Sequence, residues 1–326
     1  MPDRPPIIDS DGHVQERQSD VRKYLAPPWD KRPSISGGSG QPWDRELFQT
    51  LLYEEYPRGM SLAEQVEVWL KAMDREGMEE AVLFPTGSGS ASKIQEPEFA
   101  VAVCRAINDH FAKEYNALSD RIHSVGVLPL KQPAEAAKEL RRAVTELGLV
   151  SFEMVAMGHP VPFGDPFYYP IYEEAERLNV PLCVHPTVGD PGELGGGEFR
   201  TFAEVHAYLF PVSLFRHFTS MIYEGVTVRF PNLRLGFLEI GASWLPYWLD
   251  RMDEHWELRG DVECPLLKKK PSDIVREAPI YIGLESEETL LPQAVEYLGN
   301  SHFMYASDFP HWDADFPKNI GRVWQH

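Results

Sequence analysis

Eight short apolar runs, each followed by a stretch with helical periodicity, constrain the fold of this chain more than any other feature. They occupy residues 6–11, 80–85, 122–128, 149–154, 180–185, 233–239, 279–285 and 303–308. Alternation of this kind builds parallel strands joined by crossover helices, and eight units favour an α/β fold closed as a (β/α)8 TIM barrel over an open, doubly wound sheet. The near-continuous apolar character of VLF, PLCV and RLGFL suits strands buried on both faces. No GxGxxG follows the first run, which argues against a dinucleotide fold. Ser61 with Glu64 forms a capping-box pattern, and Pro133 and Pro166 stand where helix N-termini are expected.

A barrel takes roughly 250 residues, so 326 residues are read as a single domain over 1–326 with insertions. Residues 14–60, rich in Pro, Gly and aromatics, form an insertion after strand one, and the Gly-rich 187–198 follows strand five. Both leave the C-terminal end of a strand, the rim where barrel enzymes place their sites, so both are lid candidates.

The same rim collects residues of metal-ligand type. In Asp9-Ser10-Asp11-Gly12-His13 the strand period of two puts Asp9, Asp11 and His13 on one face, where a carboxylate and an imidazole can converge on one ion. Later strands end in Glu153, His185, Glu239 and Asp308. Carboxylates crowded at a barrel mouth repel one another unless a cation neutralises them, so Asp11, His13, Glu153, His185, Glu239 and Asp308 are the expected ligands. Asp9, Glu285 and His311 read as supporting or structural groups. His110, His123, His217, His255 and His302 lack a strand-end position and read as surface or packing residues. The substrate pocket is expected to be substantially apolar, with Trp29, Trp43, Phe84, Phe163, Tyr168, Trp244 and Trp312 near the strand-end loops, and Arg216 and His206 placed to meet a substrate carboxylate.

Composition narrows the class of partner. A formal net charge of −19 repels nucleic acid and anionic membranes, and the only dense basic run is Lys268-Lys269-Lys270, read as a solvated loop. Cys104, Cys183 and Cys264 lack CxxC spacing, which suggests neither a disulfide framework nor a thiolate zinc site. The N-terminus carries no apolar signal core, and no apolar run reaches the roughly 18 residues needed to span a bilayer. A soluble cytoplasmic enzyme with a small-molecule substrate is the expectation.

With these residues in place, the sequence resembles the amidohydrolase superfamily, in its amidohydrolase-related branch of amino-carboxymuconate-semialdehyde decarboxylase-like metal enzymes. The resemblance rests on IDSDGHV, DPFYYPIYEEAERLNVPLCVHP, RFPNLRLGFLEIGASWLPYWLDRMDEHWE and MYASDFPHWD, in that order. It implies a divalent ion, Zn, Mn or Fe, held by Asp11, His13, His185 and Asp308, with hydrolysis or non-oxidative decarboxylation of a small, largely apolar organic acid. Asp308 would serve as general base. The branch's sixth-strand His is replaced by Glu239 in LEIG, and Glu239 would take over its proton transfer. Glu153 stands where dinuclear relatives place a bridging group, which implies two ions if it is a ligand. Four carboxylates and two imidazoles also match the tally of carboxylate-bridged di-iron proteins, so the alternative is a di-iron, oxygen-dependent monooxygenase acting, for example, on a terpenoid intermediate. The resemblance further implies a homodimer, and a closing helix beyond the point where this sequence stops, which leaves the final turn of the barrel incomplete.

Overall fold

A computed structural model describes residues 5–32, 59–187, 191–314, 316 and 319–325. Nine parallel strands carry the architecture: β1 Ile8–Val14, β2 Glu80–Pro85, β3 Ile122–Ser124, β4 Gly126–Val127, β5 Phe152–Val155, β6 Leu182–His185, β7 Leu235–Phe237, β8 Ile280–Leu284 and β9 Phe303–Tyr305. Eight principal helices intervene: α1 Leu62–Glu76, α2 Pro97–His110, α3 Pro133–Leu147, α4 Tyr169–Leu178, α5 Phe202–Tyr223, α6 Leu245–Glu263, α7 Pro271–Glu277 and α8 Leu291–Leu298.

Ladders follow chain order in two groups, β1-β2-β3 and β4 through β9. The third apolar run is thus split into β3 and β4. Around Val125 its backbone turns from one neighbour to the other, with Val125 N–H donating to Leu83 O (2.9 Å) and Gly126 N–H to Ser151 O (2.9 Å). Between β9 and β1 no ladder forms among the described residues. Two backbone bonds bridge that seam at the site end, Asp308 N–H to Asp11 O and His13 N–H to Phe309 O, both 2.8 Å. This is the expected α/β barrel-type fold, with its seam placed at the residues of interest.

Local chemistry explains the helix limits. Ser61 and Glu64 form the capping box of α1, and Gly77 ends it in the left-handed conformation at φ 75°. Pro133 opens α3, and Pro166 opens a 3-10 turn capped by the Asp165 carboxylate. Helix α1 also reaches the site: Trp69, fully buried, packs edge-on against Phe309 at 5.1 Å and donates its indole N–H to His13 O at 2.9 Å. Burying a side chain of that size stabilises by about 3 kcal/mol, and here the same contact fixes the end of β1.

Of the two lid candidates, 33–58 and 188–190 lie outside the described residues, as does Trp43. No helix among the described residues is long and apolar enough to cross a membrane. All three cysteines are free.

Candidate metal centre

Asp11, His13 and His185 are delivered from within β1 and β6, whereas Glu239 and Asp308 stand beyond the ends of β7 and β9. Asp9, Asp11 and His13 are 0%, 0% and 2% exposed, although β1 slips register against β2 between Asp9 and Gly12. Asp11 and His13 turn toward the other strand ends: His13 Nε2 is 3.6 Å from Asp11 Oδ1 and 3.3 Å from Asp308 Oδ1, and His185 Nε2 is 3.4 Å from Asp11 Oδ1. Asp9 is used differently. Its Oδ1 accepts from the backbone N–H groups of Asp11 (3.2 Å) and Ser307 (3.0 Å), so it clasps the β1–β9 seam, as a structural group should.

Glu239 joins from the loop after β7, with oxygens 3.3 Å from His185 Nδ1 and 3.6 Å from His311 Nδ1. His311, read from sequence as supporting or structural, stands inside the cluster: its Nδ1 lies 2.6 Å from Asp308 Oδ1, and its ring sits 4.0 Å from that of His13. The only advance signal was its place three residues after a strand-end Asp. Donor atoms fall into two overlapping groups, Asp11, His13 and His185 in one, and His13, Glu239, Asp308 and His311 in the other, each within 4.8 Å. Glu153 belongs to neither. Its Oε1 lies 3.9 Å from His185 Nδ1, on the side of the ring away from Asp11.

His185 Nδ1–H donates to Pro186 O at 2.8 Å, which leaves Nε2 to face Asp11. Phe84, itself fully buried, stacks on the same imidazole at 5.0 Å, so the ring is held at one face and at its Nδ1 edge. Behind it, Glu153 packs so tightly on Gly89 that a Cβ there would lie 2.7 Å from the carboxylate.

Two non-glycine residues of the cluster hold left-handed backbone, Glu239 at φ 61° and Asp308 at φ 54°. Each such position costs about 1–3 kcal/mol unless its surroundings impose it. At Glu239 the imposing group is Glu288. Its carboxylate accepts from Ala242 N–H (2.8 and 2.9 Å), Ser243 N–H (2.6 Å) and Glu285 N–H (2.9 Å), and it fills the space a Cβ on Gly241 would need.

The electrostatics are those of crowded, dehydrated like charges. Burial raises the Asp11 carboxyl above its usual range, against the pull of His185, and burial holds Asp308 well above, against that of His311. Burial would also raise Glu239, but His185 and His311 outweigh it and keep it low. Burial and the neighbouring imidazoles of His311 and His185 push His13 well below its usual value. Burial alone would lower His185 and His311, yet the carboxylates around them, led by Glu239 and Asp308 respectively, hold both well above.

Both Asp11 oxygens, both His13 nitrogens and His185 Nε2 are buried without a hydrogen bond. Most buried polar atoms in folded proteins are paired, so five orphaned ones gathered on three adjoining side chains point to a common partner. Three imidazoles and three carboxylates with orphaned atoms at this spacing fit a divalent cation, which would satisfy them together.

Asp11, Glu239 and Asp308 open onto a cavity of about 280 Å³. Its wall includes His206, Glu285, Glu287, Asp313 and Asn319, with Phe210, Pro211 and Ile240 supplying apolar surface. The aromatic residues expected there lie elsewhere. Phe163 and Tyr168 are in the core, Trp29 packs on Phe99, Trp244 packs on Phe215 and Phe218, and Trp312 is exposed. Arg216 pairs with Glu193 at 3.3 Å and does not line the cavity. Among the other histidines, His217 accepts from Phe163 N–H and contacts Ala156 O and His123 pairs with Glu80, as expected, whereas His110 is buried with its Nδ1 unpaired.

Known proteins are similar to this chain in sequence and in fold. The γ-resorcylate decarboxylase of Rhodococcus jostii is 29% identical over 258 residues, covering 75% of this chain and 77% of the relative. A 2-amino-3-carboxymuconate-6-semialdehyde decarboxylase from Dictyostelium discoideum is 26% identical, and the match spans 66% of this chain but only 58% of that enzyme. Among solved structures, an amidohydrolase from Mycobacterium avium subsp. paratuberculosis superposes with a TM-score of 0.76 at 19% identity, covering 98% of this chain and 94% of the other. The 5-carboxyvanillate decarboxylase of Novosphingobium aromaticivorans, complexed with manganese and 4-hydroxy-3-methoxy-5-nitrobenzoic acid, gives 0.72 at 20% identity, covering 97% and 89%. The amidohydrolase family profile matches residues 8–323 continuously, across every strand that feeds the cluster, and the chain belongs to that family.

Proposed function

We propose that this chain is a divalent-metal-dependent enzyme that removes carbon dioxide from a small organic acid without oxidation. The observation that carries the reading is the donor cluster itself, whose orphaned, buried atoms adjoin a cavity through Asp11, Glu239 and Asp308. Asp11, His13 and His185 would hold the ion, with Asp308, Glu239 and His311 facing it from the opposite strands. Once bound, a divalent ion polarises a coordinated substrate oxygen and lowers the pKa of bound water. Manganese in the 5-carboxyvanillate decarboxylase supports that metal as the first to test. One ion suits the cluster, since Glu153 stands apart from it.

The chain's own part is proton handling and water exclusion. In decarboxylation the bond between the carboxylate carbon and its neighbour breaks, its electron pair stays on the neighbouring carbon, and a proton must arrive there. Of the three carboxyl groups that face both the cluster and the cavity, Asp308 and Glu239 are the two outside the proposed Asp11, His13 and His185 ligand set, which suits them to exchange that proton with solvent. Glu239 thereby fills the role of the missing sixth-strand histidine. The oxygen-dependent alternative draws no support from the relatives, among which decarboxylases predominate and none is named an oxygenase.

The test is to load the protein with manganese under nitrogen and follow carbon dioxide release from a panel of aromatic carboxylates, with lactones and amides included to detect hydrolysis. Turnover that vanishes in Asp11→Asn and His185→Ala is expected. Turnover only when dioxygen is admitted, or none across the panel, would overturn the reading.

A further inference from the structure

The cavity beside the metal cluster has a wall that the proposed chemistry does not use. Glu285 and Glu287 follow β8, and Asp313 and Asn319 follow β9, and all four line the cavity. No Lys or Arg lines it among the described residues, and neither Glu285 nor Glu287 takes part in an ion pair. Among the described residues the basic groups beside them are imidazoles: His206, with Nε2 at 3.7 Å from Asp313 Oδ2, and His311, whose charge also acts on Asp313. Burial, reinforced by Glu288, Glu287 and Asp313, pushes the Glu285 acid up to about 8, the direction expected where negative charge lacks a counter-cation.

A separate observation points to a ligand. Asn319 is 2% exposed, and its amide nitrogen donates to Ser307 O at 3.2 Å, which fixes the orientation of the amide. Its Oδ1 is thereby left buried with no donor. A wall made of a buried, unused acceptor and three carboxylates asks for a group that brings N–H donors and positive charge together.

We propose that the wall formed by Glu285, Glu287, Asp313 and Asn319 receives a cationic nitrogen group, an ammonium or amidinium, on the same organic acid whose carboxylate meets the metal cluster. This rests on the reading of the cavity as the substrate pocket and narrows its substrate to acids that also carry such a group. Dicarboxylic acids are disfavoured by the same wall.

Binding to the manganese-loaded protein, measured by titration calorimetry, tests this without requiring turnover. The probes are 3- and 4-amidinobenzoate, the neutral 4-(hydroxymethyl)benzoate and the dianionic terephthalate, which share a ring and one carboxylate. An amidinobenzoate should bind at least about 10-fold more tightly than the neutral probe, the size of one charge-assisted hydrogen bond, with terephthalate weakest. That preference should collapse in Glu285→Gln/Asp313→Asn, and shrink in Glu287→Gln, an exposed position that tolerates change, with manganese content unaltered in both. Equal binding of all probes, tighter binding of terephthalate, or a preference unchanged in the variants would overturn the proposal. Failure here with carbon dioxide still released from other acids leaves the decarboxylase reading standing, and an amidinium preference without any turnover does the converse.

Discussion

At the scale of single residues, the proposed chemistry turns on Glu239, which stands just beyond β7 where the sequence resemblance implies a histidine. Glu239 is held low by two imidazoles and kept in left-handed backbone, so it is a carboxylate fixed in place beside the cavity. Glu239→Gln keeps the shape and removes the proton acceptor. Turnover should fall by about 10²–10⁴-fold, with manganese retained on Asp11, His13 and His185; steady-state kinetics alongside metal analysis checks both. A variant that loses metal and activity together would make Glu239 chiefly a ligand. The periodicity of β1 made Asp11 and His13 legible in the sequence, because a strand's facing is set locally, and the ends of the apolar runs marked His185, Glu239 and Asp308, although the last two stand beyond their strands in left-handed backbone. His311 was not, since its position depends on a turn after β9 that folds back over His13. Nor were Asp313 and Asn319, which reach the cavity from an irregular segment without any period.

At the scale of elements, the loops that carry ligands are braced by other loops, and the brace is testable. Glu288 binds the backbone that follows Glu239 and that of Glu285 at once, joining the β7 and β8 ends. Glu288→Gln gives up the charge that collects these N–H donors, and support of this kind is commonly worth about 10–100-fold in metal affinity or activity. We expect a loss of that order in manganese affinity with the overall stability changed far less, read by metal titration and by denaturant unfolding. Away from the site, α3 and α4 are pinned by Arg141 and Arg177 on Glu174, whose acid is lowered to about 2, chiefly by the Arg141 hydrogen bond. Its folded value lies below the unfolded one, so this stabilisation is complete above about pH 4.5 and disappears as pH falls toward 2. Because both guanidinium groups are more than half exposed, Glu174→Gln should destabilise by about 1 kcal/mol at neutral pH, and the difference should close in acid unfolding curves. Strand and helix order was readable because apolar runs and capping residues act locally. The split of the third run at Val125 was not, since it arises from the choice between two neighbouring strands.

At the scale of the whole molecule, the seam between β9 and β1 and the metal cluster coincide. Among the described residues, two backbone bonds, a clasp by Asp9, the Ser10 hydroxyl on Tyr305 O and the approach of His13 Nε2 to Asp308 join these strands, and Asp11 and Asp308 face each other across them. A cation held from both sides therefore ties the first strand to the last, and its removal should weaken the fold as well as the chemistry. A ligand at 100 times its Kd stabilises the state that binds it by about 2.7 kcal/mol, so chelation should lower Tm by several degrees and added manganese should restore it. The pH dependence carries the sign that identifies the cause. In the metal-free protein Asp11 and Asp308 have folded values above their unfolded ones. That contribution is present in full below the unfolded carboxyl range and is lost as pH rises through the raised folded values. The metal-loaded protein has no such loss, because the cation replaces the protons. Thermal unfolding of both forms between pH 5 and 8 should then show a gap that widens as pH rises, and a gap that stays constant or narrows would mean that the cation sits away from these two carboxylates.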